Sequence, residues 1–273
     1  MYMIGLMYLA FIFHIRTLRI FALMIYQENN GPVATVFLQR PNKQNALNSL
    51  FLKRIQETFH TLARDESVRL VVLSSALPKT FCAGVDIDEL AAFKDREQAR
   101  SFARLLDETI ITLLNFPKPM IARVEGYALG GGLVLAATAD IRVMTPSTVV
   151  GIPAGRLGTI LPSTLTRVLQ HLTSSGNLKD LLLTGRRVTA REAVAMGLAR
   201  FMVEADQCDA HIRMLAREIL KSPDQALALS KMMLNEPLVA AMKSEMETAA
   251  NHFAELAMTG EWKQRLAGFI NKT

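Results

Sequence analysis

Two glycine-containing turns are the features of this sequence best suited to chemistry. In the first, FCAGVDIDEL (residues 81–90), Asp86 and Glu89 fit a capping box that starts a helix. The second, GYALGGGLV (residues 126–134), places three glycines at the start of an apolar helix. The first N–H groups of a helix have no intrahelical partner and lie at the positive end of its dipole. Two such turns, brought together, could hold one oxygen atom between two backbone donors as an oxyanion hole.

Other kinds of site find little support. The glycines do not match the GxGxxG dinucleotide fingerprint, and neither a GxxxxGK[ST] loop nor a GxSxG elbow occurs. The five histidines show no paired spacing, and Cys82 and Cys208 form no CxxC pair, so no metal site or disulfide is predicted. Tight packing alone can also explain a glycine-rich turn, and that interpretation stays open for each turn taken singly.

Alternating strands and helices must position these turns. Apolar runs predict strands over residues 32–39, 69–75 and 119–126, with Asn29, Asn30 and Gly31 as a turn ahead of the first. Apolar residues at helical spacing predict helices from residue 46 onward and over residues 97–115. We expect an α/β body and a helical C-terminal part, with a border near residue 205.

Two helix starts are predicted in the last third of the chain. Thr189 and Glu192 fit a capping box. Ser222 is predicted to cap a further helix that carries Pro223 in its first position.

The composition is that of a globular protein with a formal charge of +6, from 31 Lys and Arg against 25 Asp and Glu. This scattered excess fits an anionic metabolite better than nucleic acid, so no nucleic-acid partner is expected. The apolar run at the start of residues 1–23 is too short to span a bilayer and lacks a signal-cleavage site, so membrane contact is not expected. Whether these residues belong to the native protein stays open. We expect a cytoplasmic protein.

Seven segments together resemble the crotonase superfamily, the enoyl-CoA hydratase/isomerase proteins, over nearly the whole chain after Met24. They follow the family's order and spacing: RPNKQNALN (40–48), FCAGVDIDEL, GYALGGG, ADIRV (139–143), LGTILP (157–162), TGRRVTAREAVAMGLA (184–199) and AGFINK (267–272). The resemblance implies a spiral of ββα units over residues 24–205. It also implies that C-terminal helices in residues 206–273 assemble homotrimers or hexamers.

The resemblance further implies an acyl-CoA thioester ligand, with coenzyme A as part of the substrate and no permanently bound cofactor. In the family, the residue after the glycine of the first turn and the middle glycine of the triplet donate N–H groups to the thioester oxygen. Those positions are Val85 and Gly131 here. Lys272 would approach the CoA phosphates. The neighbouring turn residues would border the bound CoA: Ala83, Gly84, Asp86, Ile87 and Gly130.

The chain departs from the family's hydratases at two positions. They carry one glutamate two residues after the triplet and another just ahead of the segment that matches LGTILP, where this chain has Val134 and Ala154. Monofunctional isomerases can lack the first glutamate but keep a carboxylate further along. Because general acid–base catalysis supplies about 10²–10⁴-fold per group, a standard hydration is expected to lose most of its rate.

Other residues are candidates to replace these carboxylates. Glu125, Asp86 and Asp140 are weak candidates for a catalytic acid or base, and Arg156 could bind a carboxylate on an unusual acyl group. Three functions stay open. The first is an enzyme of fatty acid metabolism, a lyase or isomerase of the enoyl-CoA hydratase/isomerase type. The second is another crotonase reaction, such as decarboxylation or thioester hydrolysis, and the third is a non-catalytic acyl-CoA binder.

Overall fold

Ten strands and ten α-helices alternate in residues 24–270, the part of the chain described by this computed structural model. The strands are β1 (Ile25–Asn30), β2 (Val33–Leu38), β3 (Leu70–Ser75), β4 (Thr80–Cys82), β5 (Met120–Val124), β6 (Tyr127–Leu129), β7 (Ile141–Met144), β8 (Val149–Gly151), β9 (Arg187–Thr189) and β10 (Phe201–Met202). The helices are α1 (Ser49–Arg64), α2 (Ile87–Ala91), α3 (Arg96–Leu114), α4 (Gly131–Ala137), α5 (Ser163–Gln170), α6 (Ser175–Thr184), α7 (Ala190–Ala195), α8 (Ala205–Ile219), α9 (Asp224–Ala257) and α10 (Gly260–Ile270). Two 3₁₀ turns lie at Pro41–Lys43 and Pro153–Leu157.

From β3 to β8, consecutive strands alternate between two sheets. The larger sheet has the order β1-β2-β3-β5-β7-β10, and the smaller one has the order β4-β6-β8-β9. Apart from the antiparallel pairs β1/β2 and β8/β9, neighbouring strands are parallel, which requires a crossover between them. The pairs β3–β4, β5–β6 and β7–β8 each place one strand in each sheet before a helix returns the chain. The prediction of an α/β body built from ββα units is therefore confirmed.

The core lies between these sheets and the helices that cover them. Helix α1 buries the apolar face that its sequence spacing predicts, and Asn48 caps it by accepting from the Phe51 N–H at 2.8 Å. Helix α9 packs along α3, where Phe102 and Phe253 lie with ring centroids 6.4 Å apart. Phe253 in turn meets Trp262 of α10 edge to face at 5.3 Å. The described chain is helical over most of its length after Ala205, as predicted, and the exact domain border stays a prediction.

The observed helix starts and strands differ from the sequence predictions at three places. Helix α9 starts at Asp224 with Pro223 as its N-cap, so Ser222 is not the cap; Asp224 pairs instead with Arg69 at 2.7 Å. Glu89 forms no capping box, because its carboxylate accepts hydrogen bonds from Ser49 of α1. Strand β1 was not predicted, since its exposed residues are polar and only its pairing with β2 makes it a strand. By contrast, the capping box of Thr189 and Glu192 is confirmed.

The expectation that residues 1–23 make no membrane contact concerns residues outside the described part of the chain. Within residues 24–270, no helix combines the length and apolar character that crossing a membrane would need.

Candidate functional site

The two glycine turns lie side by side at the ends of β4 and β6. These strands are parallel neighbours, with Cys82 opposite Ala128, so both chains leave the sheet at the same edge. Glycine is required where they cross. A Cβ atom at Gly132 would lie 2.2 Å from the Cys82 carbonyl oxygen, and one at Gly84 would lie 2.8 Å from that of Leu129. The turns therefore approach more closely than side chains would permit.

The N–H of Val85 finds no acceptor among residues 24–270. Leu47 forms a parallel bridge with this turn, donating to the Gly84 carbonyl oxygen at 2.7 Å and accepting from the Asp86 N–H at 2.9 Å. Because that bridge uses the two residues that flank Val85, the N–H of Val85 itself points to the opposite side. That side faces the glycine triplet.

The N–H of Gly131 is likewise without an acceptor in the described chain. Gly130 is the N-cap of α4, with a φ of 49°, so Gly131 is the first helical residue and has no intrahelical partner. A Cβ atom at Gly131 would lie 3.9 Å from the Val85 nitrogen. Two free backbone donors are thus neighbours at the positive end of a helix.

Both turns open onto one cavity of about 450 Å³. Its buried part is apolar and is formed by Leu106, Leu161, Leu165 and Phe253. Its exposed part carries the guanidinium groups of three arginines from separate elements. The predicted site residues that line this cavity are Ala83, Gly84, Val85, Ile87, Gly130, Gly131 and Ala154. The structure thus brings together most of the site expected from the sequence.

Two predicted site residues, Asp86 and Val134, are not part of the described cavity lining. Asp86 accepts from the Asp88 N–H at 3.0 Å and pairs with Arg40 at 2.6 Å, so its carboxylate serves as a helix cap. Val134 is 0% exposed and belongs to the hydrophobic core. Lys272 lies outside the described residues. A role for Asp86 or Lys272 in binding CoA stays a prediction.

The lining contributed by residues 24–270 contains no aspartate, glutamate or histidine. Ala154, in the 3₁₀ turn Pro153–Leu157, lines the cavity at the position where the resemblance led us to expect the second glutamate. The weak substitutes are engaged elsewhere: Glu125 pairs with Arg123 at 3.2 Å, and Asp140 pairs with Lys231 at 3.0 Å. Neither lines the cavity. The described residues also form no group that could hold a metal ion.

Sequence reasoning missed one buried carboxyl group next to the cavity. Asp107 of α3 is 0% exposed; its Oδ1 accepts from the Thr164 hydroxyl of α5 at 2.6 Å, while Oδ2 has no hydrogen-bond partner among residues 24–270. Burial raises its pKa from 3.8 to about 7. The residues beside this pair, Leu106 and Leu165, line the cavity. The sequence does carry a signal for this carboxyl group, because Asp107 interrupts the apolar face of α3 one turn after Ala103.

Repeated ββα units here bring two unbonded main-chain N–H groups to one largely apolar cavity, and donors fixed in this way are able to stabilise a negatively charged oxygen. Residues 28–273 match the family described as Enoyl-CoA hydratase/isomerase. The chain belongs to this family, which is part of the crotonase superfamily.

Individual relatives agree with this assignment. The short-chain-enoyl-CoA hydratase of Clostridium acetobutylicum is 32% identical over 245 residues, covering 90% of this chain and 94% of that protein. The mitochondrial methylglutaconyl-CoA hydratase of Mus musculus is 30% identical over 248 residues, covering 89% of this chain and 78% of the relative. A solved enoyl-CoA hydratase from Bacillus halodurans superposes with a TM-score of 0.84 at 20% identity, covering 90% of this chain and 100% of that one, which shows the shared fold.

Proposed function

We propose that this protein binds an acyl-CoA thioester and stabilises its enolate as an enzyme of the enoyl-CoA hydratase/isomerase type. The observation that carries the proposal is the pair of unbonded N–H groups of Val85 and Gly131, adjacent to each other on the cavity lining. A thioester oxygen placed between them would accept a hydrogen bond from each. Coenzyme A would come and go with the substrate.

Electrostatics makes this arrangement useful for chemistry. Removing a proton from C2 of a thioester, or adding a nucleophile at C3, places negative charge on the carbonyl oxygen. Donors that are already oriented in a water-poor site stabilise that charge by roughly 3–4 kcal/mol each. The dipole of α4 adds to this effect, because Gly131 is its first residue.

The proton must then be moved by a group other than a lining carboxylate. Because the described lining carries no acidic side chain or imidazole, water or a group of the substrate itself would serve as acid and base. This absence also favours a second candidate function, a non-catalytic acyl-CoA binder that keeps the cavity and the donors. Decarboxylation and thioester hydrolysis are further reactions that need enolate or oxyanion stabilisation more than a paired acid and base.

Two measurements on the full chain distinguish these functions. The first follows exchange of the C2 protons of butyryl-CoA with deuterium by NMR, and the second follows hydration of crotonyl-CoA. We expect C2 exchange with slow hydration. Tight binding with neither exchange nor turnover, across acyl chain lengths, would support the second candidate function, a non-catalytic acyl-CoA binder. Failure to bind CoA or any of its thioesters would refute the proposal altogether.

We also propose that the C-terminal helices mediate assembly into trimers or hexamers. Helix α9 exposes Met232, Met233 and Leu234 by 53%, 68% and 74%, although solvent exposure of consecutive large apolar residues is unfavourable. Light scattering of the purified chain tests this, and a monomer at micromolar concentration would contradict it. The cytoplasmic location stays a prediction.

A further inference from the structure

Arg156, Arg187 and Arg265 line the exposed part of the cavity, and they differ in their partners. Arg265 pairs with Glu261 at 2.8 Å, so a carboxylate already balances its charge. Arg156 donates from Nε and Nη2 to the Thr184 carbonyl oxygen, at 3.2 and 3.0 Å, which is a neutral acceptor. Within residues 24–270, neither Arg156 nor Arg187 has an ion-pair partner. The cavity therefore carries two positive charges that no described carboxylate balances.

The preceding residue, Arg186, has carboxylate partners that Arg187 lacks. Arg186 pairs with Asp180 at 2.7 Å and with Glu192 at 3.1 Å. These two carboxylates therefore balance the charge of Arg186, which does not line the cavity. Arg187 instead extends over the ring of Tyr127, with its guanidinium carbon 5.4 Å from the ring centroid. This contact holds the guanidinium in place and leaves its N–H groups available.

The position of Arg187 places it within reach of an acyl group held by the two backbone donors. It lies opposite Gly151 of β8, and Gly151 lies opposite Leu129 of β6. Neighbouring strands are about 4.8 Å apart, so the backbone of Arg187 is about 10 Å from the start of the glycine triplet. Arg156 belongs to the same 3₁₀ turn as Ala154. By contrast, the long pantetheine arm separates the CoA phosphates from the thioester.

We propose that Arg187 and Arg156 form a subsite for a carboxylate on the acyl group, so that the preferred ligand is a CoA monothioester of a dicarboxylic acid. The inference rests on the proposed function, because it uses the same cavity and the same thioester position. A guanidinium offers paired N–H groups that match a carboxylate in geometry and charge. The carboxylate of the ligand would then balance the charges of Arg187 and Arg156, for which residues 24–270 supply no carboxylate.

Calorimetric binding to the full chain tests this subsite with two ligands of equal acyl length, glutaryl-CoA and pentanoyl-CoA. Charged hydrogen bonds of this kind correspond to a preference of about tenfold or more for glutaryl-CoA. Arg187→Met should remove most of that preference while leaving pentanoyl-CoA binding within about twofold of wild type. The matched control is Arg200→Met, because Arg200 also lies over an aromatic ring, that of Phe201 at 5.7 Å, but does not line the cavity.

The outcomes separate this inference from the proposed function. Equal affinity of the wild type for both thioesters would overturn the subsite and leave the proposed function standing. If Arg187→Met weakens glutaryl-CoA, pentanoyl-CoA and free CoA by the same factor, the anion bound is a CoA phosphate, and the inference is wrong. Binding of none of the three would refute the proposed function itself.

Discussion

Replacing Asp107 by asparagine tests whether a buried carboxyl group next to the cavity destabilises the folded protein at neutral pH. The carboxyl is fully buried and accepts one hydrogen bond from Thr164, and its Oδ2 has no partner in the described part of the chain. Burial raises its pKa from 3.8 to about 7. Because the folded state has the higher pKa, it keeps a proton that the unfolded chain has already lost between those two values. Stability therefore falls as the pH rises through this window.

The magnitude follows from the size of the shift. Each pKa unit corresponds to about 1.4 kcal/mol, so the full shift costs the folded state about 4 kcal/mol above pH 7. At pH 5 the cost corresponds to only about 1.2 pKa units. The free energy of unfolding is therefore expected to change by about 2–3 kcal/mol between pH 5 and pH 8. Asparagine has nearly the same shape and can still accept from Thr164, but it carries no charge. Its unpartnered amide costs about 1–3 kcal/mol at every pH.

Urea unfolding at pH 5 and pH 8 measures the difference. We expect the stability of Asp107→Asn relative to wild type to rise by about 2–3 kcal/mol from pH 5 to pH 8. Asp206→Asn, a change of an exposed residue in the first turn of α8, is the control and should show the same small effect at both pH values. A difference between Asp107→Asn and wild type that does not change with pH would refute the reasoning.

Three further predictions concern the donors, the missing carboxylates and the core. Gly131→Pro removes one N–H at a helix position that suits proline, so C2 exchange should fall by about 10²-fold or more; Gly131→Ala keeps the N–H, and its Cβ would meet Leu47 Cδ1 at an ordinary 3.4 Å, so it should retain more exchange. Ala154→Glu should raise crotonyl-CoA hydration without unfolding the chain, whereas Val134→Glu buries a carboxylate in the core and should lower stability by several kcal/mol in urea unfolding. Trp262→Ala should cost about 3–5 kcal/mol in the same assay, because Trp262 is 1% exposed and packs on Phe253. An unchanged exchange rate in Gly131→Pro, unchanged hydration in Ala154→Glu, or wild-type stability in Trp262→Ala would contradict the corresponding argument.

The sequence predicted the elements whose signals are local. Helix α1 and strands β3 and β5 follow directly from apolar spacing. The two glycine-containing turns were also identified from local sequence, whereas the choice of Val85 and Gly131 as donors came from the family resemblance. Contacts between segments far apart in the chain could not be predicted from the sequence. The partner of Asp107 is Thr164, 57 residues away, and Arg69 binds Asp224 across 155 residues. Likewise, only the structure shows that the nearby carboxylates pair with Arg186 and leave Arg187 without one.

Under the proposed function, the two positions where the resemblance expects glutamates, Val134 and Ala154, are structurally separate from the two backbone donors. The donors of Val85 and Gly131 are set by the close crossing at Gly84 and Gly132, where any side chain would collide with a backbone carbonyl group. That constraint does not involve Val134 or Ala154. Ala154 is only half-buried on a short 3₁₀ turn at the cavity, so a carboxylate can be gained or lost there without disturbing the crossing. Val134 is packed on all sides, and a carboxylate there requires the core around α4 to open toward the cavity. Under the proposed function, oxygen binding by Val85 and Gly131 can therefore persist while the proton-transferring groups change.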